Sequence, residues 1–208
     1  MDIDPASLQF ELLRLRDSGI TELYLDVSSD ERGTDEGARR ENIEEALAHL
    51  AETVRSCENC PLSGVRKQPV FGEGNSNAVL MFVGEGPGEE EDRQGRPFVG
   101  AAGQLLDKII QAMGLDRSEV YIANIVKCHP PGNRNPGDTE IACCLPYLKE
   151  QIRFIKPEVI VALGSVAARA LLDTDQRISR LRGAFHLMDG VPVMPTFHPA
   201  YLDRKSVV

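Results

Sequence analysis

The sequence predicts an α/β protein with three α/β/α layers, a four-stranded, mainly parallel sheet, and an N-terminal helical extension. Three observations predict it. From residue 57 onward, short apolar runs alternate with amphipathic helical stretches in the order β-α-β-α-β-α-β, which favours parallel strands joined by helical crossovers. Each apolar run ends in a turn or in a segment rich in chemically active residues. The 208-residue chain is also 42% hydrophobic, enough for a full core.

The elements follow in order. LQFELLRLRDSGI carries apolar residues at helical spacing and ends in Gly, which reads as a helix; TELYLDV is short and fits strand or helix. SSDERGTDEGARR is polar and Gly-containing, and reads as a linker. ENIEEALAHLAETVRS follows as a helix with Ile43, Ala46, Leu47 and Leu50 on one face. These pieces form an acidic extension over residues 1–56, and residues 57–208 form the functional domain. Within it, NAVLMFVG, EVYIANIVK, PEVIVALG and VPVMPTFHP are the strands. AAGQLLDKIIQAMGL is a helix that turns Leu105, Leu106, Ile109, Ile110 and Met113 inward; GDTEIACCLPYLKEQIRFI is a longer one with Pro146 as a point of interruption, and SVAARALLD is the last.

Charge is unevenly distributed. The net charge is -9, but residues 1–56 hold 14 acids against 6 bases, leaving 18 against 17 for the rest. The body is therefore near neutral, and a local basic face on it can bind a phosphate backbone. No apolar run approaches the roughly 20 residues that span a bilayer. The opening MDIDPASLQFELL is acidic and has no apolar signal core, so the expectation is a cytoplasmic chain without a membrane partner.

Ligands of such sheets sit beyond the carboxyl ends of the strands. Three unusual segments fall there: GEGPG after the first strand, NIVKCHPPGN after the second and FHPAYL after the last. GEGPG lacks both the GK[ST] ending of a phosphate loop and the GxGxxG spacing of a dinucleotide turn. The acids at 89–92 would repel a phosphate. As contiguous carboxylates they point in different directions and read as a solvated turn. What remains is a tight turn presenting backbone N–H groups to a small ligand, followed by Phe98, a ring suited either to stacking on a flat ligand or to the core. Asn124 ends the second strand, and its amide offers a donor and an acceptor side by side. His198 is held near the last strand end by Pro199.

Cys57 and Cys60 form a CxxC; Cys128 follows the second strand, and Cys144 lies 16 positions later beside Cys143. Four thiolates in two distant pairs fit a zinc ion or an iron–sulfur cluster, with core cysteines as the plainer alternative.

GEGPGEEEDRQGRPFVGAAGQLL, NIVKCHPPGNRNP and TFHPAYL, with CENCPLS and the 57/60/128/144 cysteine pattern, resemble the motifs of the family 4, iron–sulfur uracil-DNA glycosylases over roughly residues 55–202. The resemblance implies a monofunctional enzyme that hydrolyses the N-glycosidic bond of uracil in single- or double-stranded DNA, leaving an abasic site, and that acts as a monomer. It implies a [4Fe–4S] cluster on Cys57, Cys60, Cys128 and Cys144. It also implies a uracil pocket from Gly84, Glu85, Gly86, Phe98, Asn124 and His198, with His198 and Glu85 catalytic and the loop from His198 to Leu202 entering the duplex. Gly86-Pro87-Gly88 stands where the best-known glycosylase family has Asp-Pro-Tyr, so water activation and thymine exclusion fall to other groups, with Glu85, Glu89 and Glu90 as candidates. The alternative is a cluster-bearing DNA-binding or uracil-trapping protein without turnover. It is disfavoured because HPPGNRNPGD stands where the trapping relative has a basic, histidine-containing loop.

Overall fold

The computed structural model describes the backbone of residues 35–201 and the side chains of residues 41–201. The helix and short element expected before residue 28, Leu202 and the closing DRKSVV lie outside the described residues.

The first element, α1 (Asp35–Arg55), starts within the stretch read as a linker, so DEGARR is helical and the linker reading is corrected at that end. Ile43 and Leu47 are buried on the face that periodicity assigned, and Val54 joins them. Six strands follow, β1 (Glu73–Gly74), β2 (Leu80–Gly84), β3 (Tyr121–Asn124), β4 (Val159–Leu163), β5 (His186–Met188) and β6 (Val191–Thr196). Their order is β1-β3-β2-β4-β6-β5. The four predicted strands, β3, β2, β4 and β6, form the parallel centre. β1 and β5 add an antiparallel strand at each edge. With two and three residues, these edge strands are too short to leave a period-2 pattern.

The remaining helices are α2 (Glu89–Gln94), α3 (Ala101–Ala112), α4 (Asp138–Ile155), α5 (Ser165–Leu172) and α6 (Ile178–Leu181). Side-chain alternation divides the core between the two faces of the sheet. Leu80 and Phe82 pack with Leu106 and Ile110 of α3. Met81 and Val83 belong to the opposite cluster, with Leu148 and Ile152 of α4, Ala167 and Leu171 of α5, and Ile43 and Leu47 of α1.

Two further expectations need correction. Met113 is 51% exposed, because α3 stops at Ala112 and Met113 caps it rather than facing the core. Pro146 does not break α4, which runs through it to Ile155; its ring lies on the exposed side, where helices tolerate a missing bond best. Among the described residues, no helix is long and apolar enough to cross a membrane.

Candidate active site

At the carboxyl ends of β2, β3 and β6 the three suspect segments meet around a cavity of about 560 Å³, a size suited to a small ligand. Glu85, Gly86, Phe98, Asn124 and His198 all line it. Gly84 lies just behind: a Cβ there would sit 2.4 Å from Asn124 Oδ1 and 2.5 Å from Phe98 Cζ, so only glycine lets the two approach each other. Phe98 and His198 stack with ring centroids 5.7 Å apart and 29° between planes.

Asn124 is 1% exposed, and its Oδ1 has no hydrogen-bond partner. A buried, unpaired amide oxygen is costly, so an acceptor left open on a cavity wall is chemically a request for a donor. His198 Nδ1 accepts from the Ala200 backbone N–H at 3.2 Å. That bond requires the neutral ring and leaves its proton on Nε2. The histidine reaches this place because Gly164, at φ 96°, ends β4 without a side chain; a Cβ there would come within 3.1 Å of His198 Cβ.

The carboxylates divide by environment. Burial pushes the Glu85 carboxyl above its ordinary range. Glu90 pairs with Arg93 and Gln94, and Glu89 is exposed. The acids at 89–92 are not a solvated turn. They open α2, where the helix N-terminus favours negative charge, and Asp92 is buried, accepting from the Lys67 N–H. Glu91, which the sequence did not single out, organises the turn. Its Oε1 accepts from the backbone N–H groups of Val99 (2.9 Å) and Gly100 (2.8 Å), and its Oε2 from that of Gly88 (3.1 Å).

Arg117 was also missed. Phe98 has φ 50°, in the left-handed region that a bulky residue occupies only when held. Arg117 holds it, donating to the carbonyls of Pro97 (2.6 Å) and Phe98 (3.2 Å) while paired with Glu73 and Asp107. No local pattern announces such a contact, because it joins residues about twenty positions apart.

The geometry is that of a pocket for a flat, hydrogen-bonding ring. The model of the uracil DNA glycosylase superfamily matches residues 71–206. The type-4 uracil-DNA glycosylase of Thermotoga maritima is 48% identical over 164 residues, covering 78% of this chain and 85% of its own length. The type-4 enzymes of Saccharolobus solfataricus and Pyrobaculum aerophilum are 45% and 44% identical, covering 73% and 78% of this chain and 74% and 87% of theirs. The chain belongs to the type-4 uracil-DNA glycosylases.

In this family member the cysteines gather at one place. Cys57, Cys60, Cys128, Cys143 and Cys144 line a common small cavity, and all five are free of disulfides. Three sulfurs accept hydrogen bonds: Cys128 from Arg66 Nη1 (3.0 Å), Cys144 from the Lys127 backbone N–H (3.2 Å) and Cys57 from the Tyr147 hydroxyl (3.3 Å). Burial raises the Cys128 thiol and pushes that of Cys144 up to about 11. Among the described residues, no three ligating side chains are grouped as a single metal ion requires. Four soft thiol donors around a shared space are a donor set that a zinc ion or an iron–sulfur cluster can use.

Proposed function

We propose that the chain is a monofunctional uracil-DNA glycosylase that hydrolyses the C1′–N1 bond of deoxyuridine in DNA and leaves an abasic site for base-excision repair. The observation that carries this reading is the orphaned Asn124 Oδ1 on the wall of a pocket with the Phe98 ring. Uracil supplies what that atom lacks: its N3–H donates to Oδ1 while the Asn124 amide donates to O4. Cytosine reverses both groups and would leave buried polar atoms unmatched, which is a strong basis for rejection.

The base must leave the duplex to reach these groups, at a cost of a few kcal/mol. Phe98 then stacks on it, the backbone of Gly84, Glu85 and Gly86 lies along it, and the segment that begins at His198 and turns helical at Pro199 enters the space it vacates. As the C1′–N1 bond breaks, its electron pair passes to the base and spreads to O2, and the sugar becomes positive. His198 donates from Nε2–H to O2, a preorganised contact of the kind that supplies several kcal/mol. Glu85, its proton affinity raised by burial, takes a proton from the water that attacks C1′. Among the described residues no lysine lines the cavity, which agrees with hydrolysis that leaves the sugar–phosphate backbone intact.

Cys57, Cys60, Cys128 and Cys144 would hold a [4Fe–4S] cluster, and the hydrogen bonds to three of them suit thiolate ligands. The cluster would supply structural cross-linking of the CxxC loop, the β3 end and α4. Residues 57–208 are the glycosylase domain and 1–56 an extension whose last helix docks on it. Five free thiols fit a reducing, cytoplasmic setting, where the protein would act as a monomer on single- or double-stranded DNA.

The deciding experiment uses a single-uracil oligonucleotide, single-stranded and opposite guanine, with alkaline cleavage of abasic sites and a thymine control. Multiple turnovers on uracil alone, slowed about 10²–10³-fold in His198→Ala, are expected. DNA binding without product, or a covalent adduct that survives denaturation, would instead establish a trapping protein.

A further inference from the structure

Lys127 is fully buried, yet none of the chemistry above uses it. Its backbone N–H donates to Cys144 Sγ, and its carbonyl accepts from Val70 N–H at 2.7 Å. Its Nζ donates to the backbone carbonyl of Asn124 at 2.9 Å and to Gln151 Oε1 at 2.5 Å. Gln151, also fully buried, sits two turns beyond Cys144 on α4 and donates onward to the Phe71 carbonyl (3.0 Å) and the Tyr121 hydroxyl (3.1 Å). An ammonium in an apolar core carries a heavy desolvation penalty, and a methionine would fill the same space without it. The position of the charge therefore matters. One end of the strut is the strand terminus whose side chain lines the pocket. The other is the helix that carries Cys144, and Cys128 is the very next residue.

We propose that Lys127 is a positioning residue that couples the cysteine cavity to the uracil-reading end of β3, so that an intact cluster and a correctly placed Asn124 stabilise each other. The proposal rests on the cluster and pocket readings above. A cluster would fix Cys128 and Cys144, and with them the Lys127 backbone that bonds to Cys144 Sγ and the α4 segment that carries Gln151. Without it that frame loosens, and Nζ no longer holds the Asn124 carbonyl in place. Linkage between two sites is reciprocal: if the cluster favours the uracil-binding arrangement, uracil in the pocket must favour retention of the cluster by the same factor.

The test follows the visible absorbance of the purified iron-containing protein as an excess of iron chelator bleaches it, with saturating free uracil, with cytosine, and with neither. Uracil is expected to slow bleaching about five-fold or more, and cytosine to leave it unchanged. K127M is expected to lose the uracil effect and about ten-fold in kcat/KM, while Y121F, which trims only the far end of the network, keeps most of both. Bleaching of the wild-type protein that is indifferent to bound uracil, or full protection persisting in K127M, would overturn the coupling. Should K127M not fold, the wild-type comparison and the Q151L protein, which removes the other acceptor of Nζ, decide the matter in the same way. The underlying readings fail separately: a preparation without iron sinks the cluster, and an absence of product inhibition by uracil sinks the pocket.

Discussion

Asn124 meets two demands at once: its carbonyl is tied to Lys127 Nζ, and its amide oxygen is left for a donor from outside the protein. Asn124→Asp keeps the acceptor for N3–H but removes the donor to O4, at a cost of about 2 kcal/mol, or roughly thirty-fold. Single-turnover rates on uracil should fall by that factor and discrimination against cytosine should narrow; an unchanged ratio would remove Asn124 from base reading. Glu85 makes a pH-dependent prediction. Burial sets its folded-state pKa above the ordinary 4.5, so between the two values the folded protein holds more proton than the unfolded chain. Its contribution to stability is present below the ordinary value and is lost as pH rises through the raised one. Glu85→Gln cannot ionise, so its Tm should gain on the wild type as pH rises across that window. Activity should move oppositely: the wild type should show an acid limb in kcat/KM above the ordinary carboxylate range, and Glu85→Gln should lose rate. Parallel melting and rate profiles across the acid range check both signs.

At the level of elements, the pocket depends on how closely α3 approaches the turn before it. A Cβ on Gly103 would lie 1.9 Å from the Phe98 carbonyl oxygen, a backbone atom already fixed by Arg117. Gly103→Ala must push α3 away or release the left-handed Phe98. The expected loss is about 3 kcal/mol, a fall in Tm of roughly 6–12 °C, with weakened uracil inhibition. Gly64→Ala, where nothing lies within 4 Å of the added atom, serves as the neutral control. The contrast between these glycines also shows which parts of the fold could be read in advance. The four central strands and the placing of Glu85, Phe98, Asn124 and His198 around one cavity were legible, because apolar runs mark strand ends and parallel sheets gather those ends on one edge. Glu91 and Arg117 were not. Their meaning lies in backbone groups of Gly88, Val99, Gly100 and Pro97 that converge only once the turn has formed. β1 and β5 escaped for a different reason, since two or three residues cannot display a period.

For the whole molecule, the question is where the working unit begins. Composition divides the chain at residue 56, since most of the net negative charge lies before it. Packing gives the last helix of that acidic segment a second role. Ile43 and Leu47 of α1 are buried in the cluster that also holds Cys144, Leu148 and Ile152 of α4, and Val54 is 1% exposed and lines the cysteine cavity. Charge and burial are separable here because a helix can expose acids on one face while its opposite face completes a core. Among the described residues, removing 1–56 would strip three buried aliphatic side chains, Ile43, Leu47 and Val54. At about 1.5–3 kcal/mol each, the loss is comparable to the 5–15 kcal/mol that usually stabilises a domain. The truncated chain should therefore melt far lower than the full chain and, because Val54 stands three residues before Cys57, should retain less iron. Leu47→Ala is the milder form of the same test, expected to cost about 3 kcal/mol while leaving the cysteine loop in place. Thermal melts with iron and sulfide analysis on both variants separate the two contributions. If the truncated chain matched the full chain in Tm and iron content, α1 would be an appendage and the domain would start at the cysteines; if it lost both, α1 is the outer wall of the cysteine cavity.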